Sequence, residues 1–378
     1  RDFDIVVLEG AGSPVEININ KLDISNMEMA RIADSPVVLV ADIDRGGVFA
    51  SIVGTLSLMS DEERSRVKGV IINKFRGRKD YFSEGVRLLE DIIKIPVLGV
   101  VPYQKLGIDE EDGVSEKTYK EAKQVYRKDK LNVVVLKLDH MSNYTDFNVF
   151  EHIEGLELSY ISLDQDLEAF DGQNGQVGPD LLIIPGSKNT LGDMERLNKS
   201  PMRDQILAYS KRGGLIVGLC GGYQMLGQTI RDDRGLDGSQ GKVDGLGLLE
   251  VDTVFGSDKI TGQVRWNFGH EEGYFFGLEN SQIEGYETHL GRTYPGPDDN
   301  YKIKDGHIMG TYCHGLFDSA GFLSGLLNNI AKARGLARAF EVKDYRAIKN
   351  EEYNKLADLI RENVDMEKVY NIIFSRDI

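Results

Sequence analysis

The chain has 378 residues, 41% of them hydrophobic, and 61 acidic against 45 basic side chains give a formal charge of −16. That length favours two domains, and that charge argues against nucleic acid as a partner and for a soluble cytoplasmic protein. Two cysteines make no disulfide framework, and no apolar run reaches the ~18 residues that span a bilayer.

In chain order, Ile5–Leu8, Val37–Val40, Val67–Ile72 and Val97–Val101 are continuous apolar runs separated by helical patterns near 25–33, 47–60 and 81–93. Such runs predict a parallel sheet covered on both faces. Residues 106–130 are charge-rich and read as a connector. The α/β pattern resumes with Asn132–Leu136, Leu181–Gly186 and Gly214–Leu219. Residues 244–312 read as short strands with glycine turns, and the tail from about 340 is helical, with Tyr353, Leu356, Leu359 and Ile360 on one face. The boundaries expected are 1–125, 126–330 and a helical tail over 331–378.

Gly218-Leu219-Cys220-Gly221-Gly222 joins a buried strand to a helix start. The glycines permit the tight strand-to-helix turn of a nucleophile elbow, and the helix N-terminus favours thiolate over thiol. The N–H of Gly221 can stabilise an oxyanion, and Gly186, at the end of a parallel strand, supplies a second donor. A lone cysteine is more often buried filler; the elbow reverses that reading. Of six histidines, His314 is the best-placed acid–base partner, following a strand and preceding Gly315. Cys313, without an elbow, reads as buried.

In the first block, Glu9 ends the first run. Asp42, Asp44 and Arg45 end the second, and Asn73 the third. The carboxyl edge of an open α/β sheet binds ligands. Carboxylates there can hold magnesium beside a triphosphate, and an asparagine can read adenine. No G-x-x-x-x-G-K-[ST] loop occurs. The start within an apolar strand leads us to expect that a first strand and phosphate loop precede residue 1, and that the chain alone lacks the ATP-dependent step.

GLCGGYQMLG, PGSKNT and YCHGLFD resemble the class I glutamine amidotransferase domain. The resemblance implies Cys220 as nucleophile and His314 as general acid/base. Many members carry His-x-Glu, whereas residue 316 is Leu; Glu287 in Gly-Tyr-Glu-Thr-His is a candidate to hold the ring, the alternative being a dyad. With EGAGSP, VADIDRGG, VIINKFRGR, IPVLGVVPY and SNYTDF, the chain resembles the cobyric acid synthase family over residues 1 to about 330. This implies two α/β domains, a truncated P-loop-type (dethiobiotin-synthetase-like) parallel sheet and then the amidotransferase. It also implies ATP, Mg2+ and glutamine, with amidation of the b, d, e and g carboxylates of adenosylcobyrinic acid a,c-diamide. Glu9 is the magnesium-linked carboxylate by that match. Asp42, Asp44 and Arg45 meet either phosphates or corrin carboxylates. SNYTDF has no chemical role in this reading beyond a turn that packs the two domains. The competing readings are the sister amidase that forms the a,c-diamide or another amidotransferase-linked ligase, a plain thiol hydrolase, and a regulatory ATPase remnant fused to a dead amidotransferase domain.

Overall fold

The computed structural model describes residues 3–18, 24–108, 126–171, 175–270, 272–279, 281–296 and 300–374. The chain divides into two compact units, Arg1–Ile108 with Asn350–Ile378, and Asp109–Lys349. Most of the expected connector, 109–125, lies outside the described residues.

In the first unit, β1 (Val37–Asp42), β2 (Val67–Phe75) and β3 (Val97–Pro102) form a parallel sheet in the order β1-β2-β3. Helices Val48–Leu58, Asp61–Arg66 and Lys79–Ile93 connect them. The helix Asp61–Arg66 starts in a capping box, Ser60 and Glu63 each satisfying the other's backbone N–H. Ile52, Leu56, Val70, Ile72, Leu89 and Ile93 are buried in one core. A second small core forms where Val364, after the helix Tyr345–Asn363, packs with Leu98 and Val101. Asp365 N–H donates to the Leu98 carbonyl at 2.7 Å there. The helical tail from Asn350 thus belongs with the first unit.

The expected strand over Ile5–Leu8 is not formed: these residues belong to no element and are exposed, Val7 by 86%. A run apolar on both faces is stable as a strand only when neighbouring strands flank it and helices cover it. Among the described residues no strand pairs with it.

In the second unit the strands are β4 (Leu131–Lys137), β5 (Met141–Ser142), β6 (Leu156–Ser162), β7 (Ala169–Asp171), β8 (Gly175–Val177), β9 (Leu181–Ile184), β10 (Gly186–Ser187), β11 (Leu215–Leu219), β12 (Thr229–Asp232), β13 (Gly241–Asp244), β14 (Asp252–Asn267), β15 (Gln282–Tyr294), β16 (Tyr301–Lys304) and β17 (Ile308–Thr311). Six form the central sheet, in the order β16-β17-β11-β9-β4-β6, parallel except for β16 at one edge. β9 and β11 are buried at every position, as continuous apolar runs require. Helices Thr190–Lys199, Met202–Lys211 and Ala320–Arg334 give Met194, Leu197, Ile206, Leu323, Leu326 and Leu327 to the same core.

The short strands expected over 244–312 are instead dominated by a long antiparallel ribbon, β14 with β15. Glycines that read as turns lie inside it. A Cβ on Gly285 would sit 2.1 Å from the His314 carbonyl oxygen, and one on Gly291 2.3 Å from Gln224 Nε2. They mark close approach within a strand, not the end of one.

Candidate active site

Leu215–Leu219 is a fully buried strand, and the chain must turn sharply at its end to start the helix Gly221–Leu226. Cys220 makes that turn at φ +50°, ψ −106°, a region L-residues rarely occupy. The packing allows no side chain at the flanking glycines. A Cβ on Gly222 would lie 1.9 Å from the Ile184 carbonyl oxygen, and one on Gly218 2.6 Å from Leu226 Cδ1. Cys220 N–H donates to Thr311 O at 2.8 Å, which ties the elbow to the end of β17.

Three residues after Thr311 comes His314, held by two backbone bonds to Tyr286, 2.8 Å from its own N–H and 3.1 Å to its carbonyl. The ring is fully buried and stacks on Tyr286 at 5.1 Å between centroids. Its Nδ1 lies 2.8 Å from Asp146 Oδ2, and because a carboxylate only accepts, Nδ1 carries the proton. The other oxygen, Oδ1, accepts Gly315 N–H at 2.9 Å. The Asn143 amide nitrogen lies against the same ring, 2.7 Å from Nε2. Burial alone would push the imidazolium down in pKa. Hydrogen bonds to Asp146 and Cys220, and their charges, outweigh it and hold the ring at about 10.

Gly186 stands between these groups. A Cβ there would lie 3.6 Å from His314 Cε1, 3.7 Å from Cys220 Cβ and 2.9 Å from Ser142 Oγ. The next residue matters as well. β10 pairs antiparallel with β5, and Lys188 N–H donates to His140 O at 2.9 Å. Because N–H groups alternate in direction along an antiparallel strand, Ser187 N–H points away from β5. A Cβ on Gly221 would sit 2.8 Å from that nitrogen. The backbone nitrogen of Ser187 therefore lies beside Gly221 at the elbow.

The structure thus brings Cys220, His314, Gly186 and Gly221 together, and adds Asp146, which sequence reasoning missed. Its only signal is one carboxylate in the SNYTDF stretch, just before the buried Phe147, Val149 and Phe150. Glu287 does not hold the ring; its carboxylate lies 3.7 Å from His289 Nε2. Residue 316, where the resemblance led us to look for glutamate, is a buried leucine. Cys313 is fully buried, and that burial pushes its thiol up to about 12. It is no rival nucleophile.

At the carboxyl edge of the first sheet, Asp42 and Asn73 are partners in register. Asp42 Oδ2 accepts from Lys74 Nζ at 2.8 Å and Oδ1 from Asp44 N–H at 2.8 Å. Burial works against the Asp42 carboxylate, but Lys74, the Asp44 N–H and Arg45 hold it below the usual range. Asp44 pairs with Arg76, whose guanidinium lies 3.4 Å over the Tyr103 ring. Four of the five expected residues of this edge, Asp42, Asp44, Arg45 and Asn73, are therefore gathered at two neighbouring strand ends. Glu9 is not, because the strand that would carry it there is not formed; it is exposed.

Residues 132–322 match the CobB/CobQ-like glutamine amidotransferase domain, and residues 1–110 an AAA domain. Cobyric acid synthase of Clostridium botulinum (strain Alaska E43 / Type E3) is 44% identical over 388 residues, covering 99% of this chain and 75% of that protein. The chain belongs to the cobyric acid synthase family. Cobyric acid synthase of Alkaliphilus metalliredigens (strain QYMF) is 42% identical over 98% of this chain and 75% of that protein. That of Thermoanaerobacter sp. (strain X514) is 40% identical over 98% of this chain and 74% of that protein. The domain that matches the amidotransferase family spans every member of the Cys220 site, including Asp146. Among the described residues no helix is long and apolar enough to cross a membrane.

Proposed function

We propose that the chain serves the glutamine- and ATP-dependent amidation of corrin carboxylates in cobalamin biosynthesis, with Cys220 as the nucleophile that frees ammonia from glutamine. The observation that carries this reading is the buried Asp146–His314 pair beside a cysteine on a strained elbow. Family membership supplies the substrate class; we take the b, d, e and g carboxylates of adenosylcobyrinic acid a,c-diamide as those amidated.

Cys220 Sγ attacks the side-chain amide carbon of glutamine. Negative charge moves to the amide oxygen, where Gly221 N–H and, from the strand Gly186–Ser187, the Ser187 N–H receive it; one such donor is worth about 3–4 kcal/mol in the transition state. His314, protonated and held by Asp146, gives its proton to the departing nitrogen, so the C–N bond breaks and NH3 leaves a thioester. The neutral ring then takes a proton from water, which attacks the thioester; glutamate leaves, and the thiolate is restored beside the protonated ring.

A free carboxylate does not accept ammonia, because its oxygen is a poor leaving group. Transfer of the ATP γ-phosphoryl group gives an acyl phosphate, which ammonia converts to the amide with release of phosphate. In this reading Asp42, Asp44, Arg45 and Asn73 form the nucleotide and phosphate site, where Arg45, Lys74 and Arg76 offset phosphate charge. The carboxylates of Asp42 and Asp44 are the donor type that magnesium takes beside a triphosphate, and Glu9 is a further candidate; magnesium would neutralise phosphate charge there.

The test compares Cys220→Ser with the unaltered protein for release of ammonia from glutamine, and glutamine hydrolysis should vanish in the variant. Equal hydrolysis rates in the two would overturn the reading.

A further inference from the structure

Beyond the reacting groups, one carboxylate joins the two segments that frame them. Asp193, in the first turn of the helix Thr190–Lys199, is 1% exposed. Its Oδ2 accepts from Ser187 Oγ at 2.6 Å and from His140 N–H at 3.3 Å, and its Oδ1 lies 2.9 Å from His140 Nδ1. Ser187 Oγ accepts in turn from Asn189 N–H at 2.9 Å. A carboxylate accepts from all three donors at once, whereas an asparagine offers one acceptor oxygen and could hold the His140 ring only in its other tautomer.

The placement of these partners is what matters. His140 begins the segment that runs through Ser142 and Asn143 to Asp146, and so to His314. Ser187 belongs to β10, whose backbone faces Gly221 and the elbow. β5 and β10 are two residues each. So short a ladder holds its register weakly without a side-chain tie.

We propose that Asp193 is a positioning residue for glutamine hydrolysis: through Ser187 and His140 it fixes the oxyanion strand against the segment that carries Asp146. It touches neither Cys220 nor His314, and acts through the two segments alone. The inference rests on the reading of Cys220 and His314 as a glutamine-hydrolysing pair.

The experiment measures glutamine hydrolysis by the full chain as Asp193→Ala, Asp193→Asn, Ser187→Ala, His140→Ala and the Ser187/His140 double variant. Expected is a loss of kcat of about 30-fold for Asp193→Ala and about tenfold for Asp193→Asn, with the glutamine KM within about threefold. Because Ser187 and His140 act through one carboxylate, their double variant should lose little more than either single one. Alkylation of Cys220 by iodoacetamide, which develops no oxyanion, should stay within about twofold of the unaltered rate. A kcat for Asp193→Asn within twofold of the unaltered chain, a loss borne mainly by KM, or multiplying effects of Ser187→Ala and His140→Ala would overturn the proposal. Should Asp193→Ala fail to fold, the other variants carry the test. Absence of hydrolysis in the unaltered chain would instead sink the reading of the site itself.

Discussion

Asp146 accepts the His314 Nδ1 proton at 2.8 Å from 168 positions earlier in the chain, and its second oxygen takes the Gly315 N–H. One carboxylate therefore fixes the tautomer, the ring orientation and the backbone just after it. The same carboxylate helps to raise the imidazole to about 10, against the opposing effect of burial.

Asp146→Asn should lower kcat for glutamine hydrolysis by about 100-fold or more, because the amide stabilises neither the tautomer nor the charge. The pH profile of kcat/KM gives a finer test. As Asp146 raises the ring's pKa, its removal should move the alkaline limb down from about 10 towards 6.5. A limb that stays in place would show that Asp146 does not set the charge of His314.

Folding stability carries the same signature. The His314 ring binds its proton more tightly folded than unfolded. Its contribution is complete below the unfolded value of 6.5, and is lost as pH rises to about 10. The melting-temperature difference between the unaltered chain and His314→Asn should accordingly shrink between pH 6.5 and 10. A difference that grows over that window contradicts a raised pKa.

Gly222→Ala should destabilise the second unit by about 3 kcal/mol or more, since its Cβ would lie 1.9 Å from a backbone carbonyl that cannot swing aside. Chemical denaturation should show this. Near-unaltered stability would mean that the elbow is not packed against β9 as described.

Gly99→Ala tests the tail. The added Cβ would sit 2.3 Å from Asn363 O and 2.8 Å from Val364 Cα. Limited proteolysis should then cut near 363–374 faster, while the central sheet of the second unit stays protected. Unchanged cleavage there would argue against the packing of Val364 on β3.

The parts that local pattern encodes were legible in the sequence. Leu181–Ile184 and Leu215–Leu219 declare buried strands by continuous apolar character, and Gly218-Leu219-Cys220-Gly221-Gly222 declares the elbow by spacing. Asp146 was not legible, because its role comes from tertiary contact with a histidine far along the chain. Glu287 misled for the converse reason. Near His314 in sequence, it lies on β15 next to Tyr286, the residue whose backbone binds His314, and successive side chains on a strand point to opposite faces. Gly285 and Gly291 read as turns because the spatial neighbours that exclude a side chain there are invisible from their own segment. Ile5–Leu8 read as a strand from composition, but strand formation needs partners that composition does not name.

The most direct test of the account is peptide mass mapping after exposure to an electrophilic glutamine analogue, with and without excess glutamine. The account predicts covalent mass on Cys220 alone, prevented by glutamine, slowed in Asp146→Asn and absent in Cys220→Ser. Labelling of Cys313, or labelling of Cys220 that glutamine does not prevent, would contradict it.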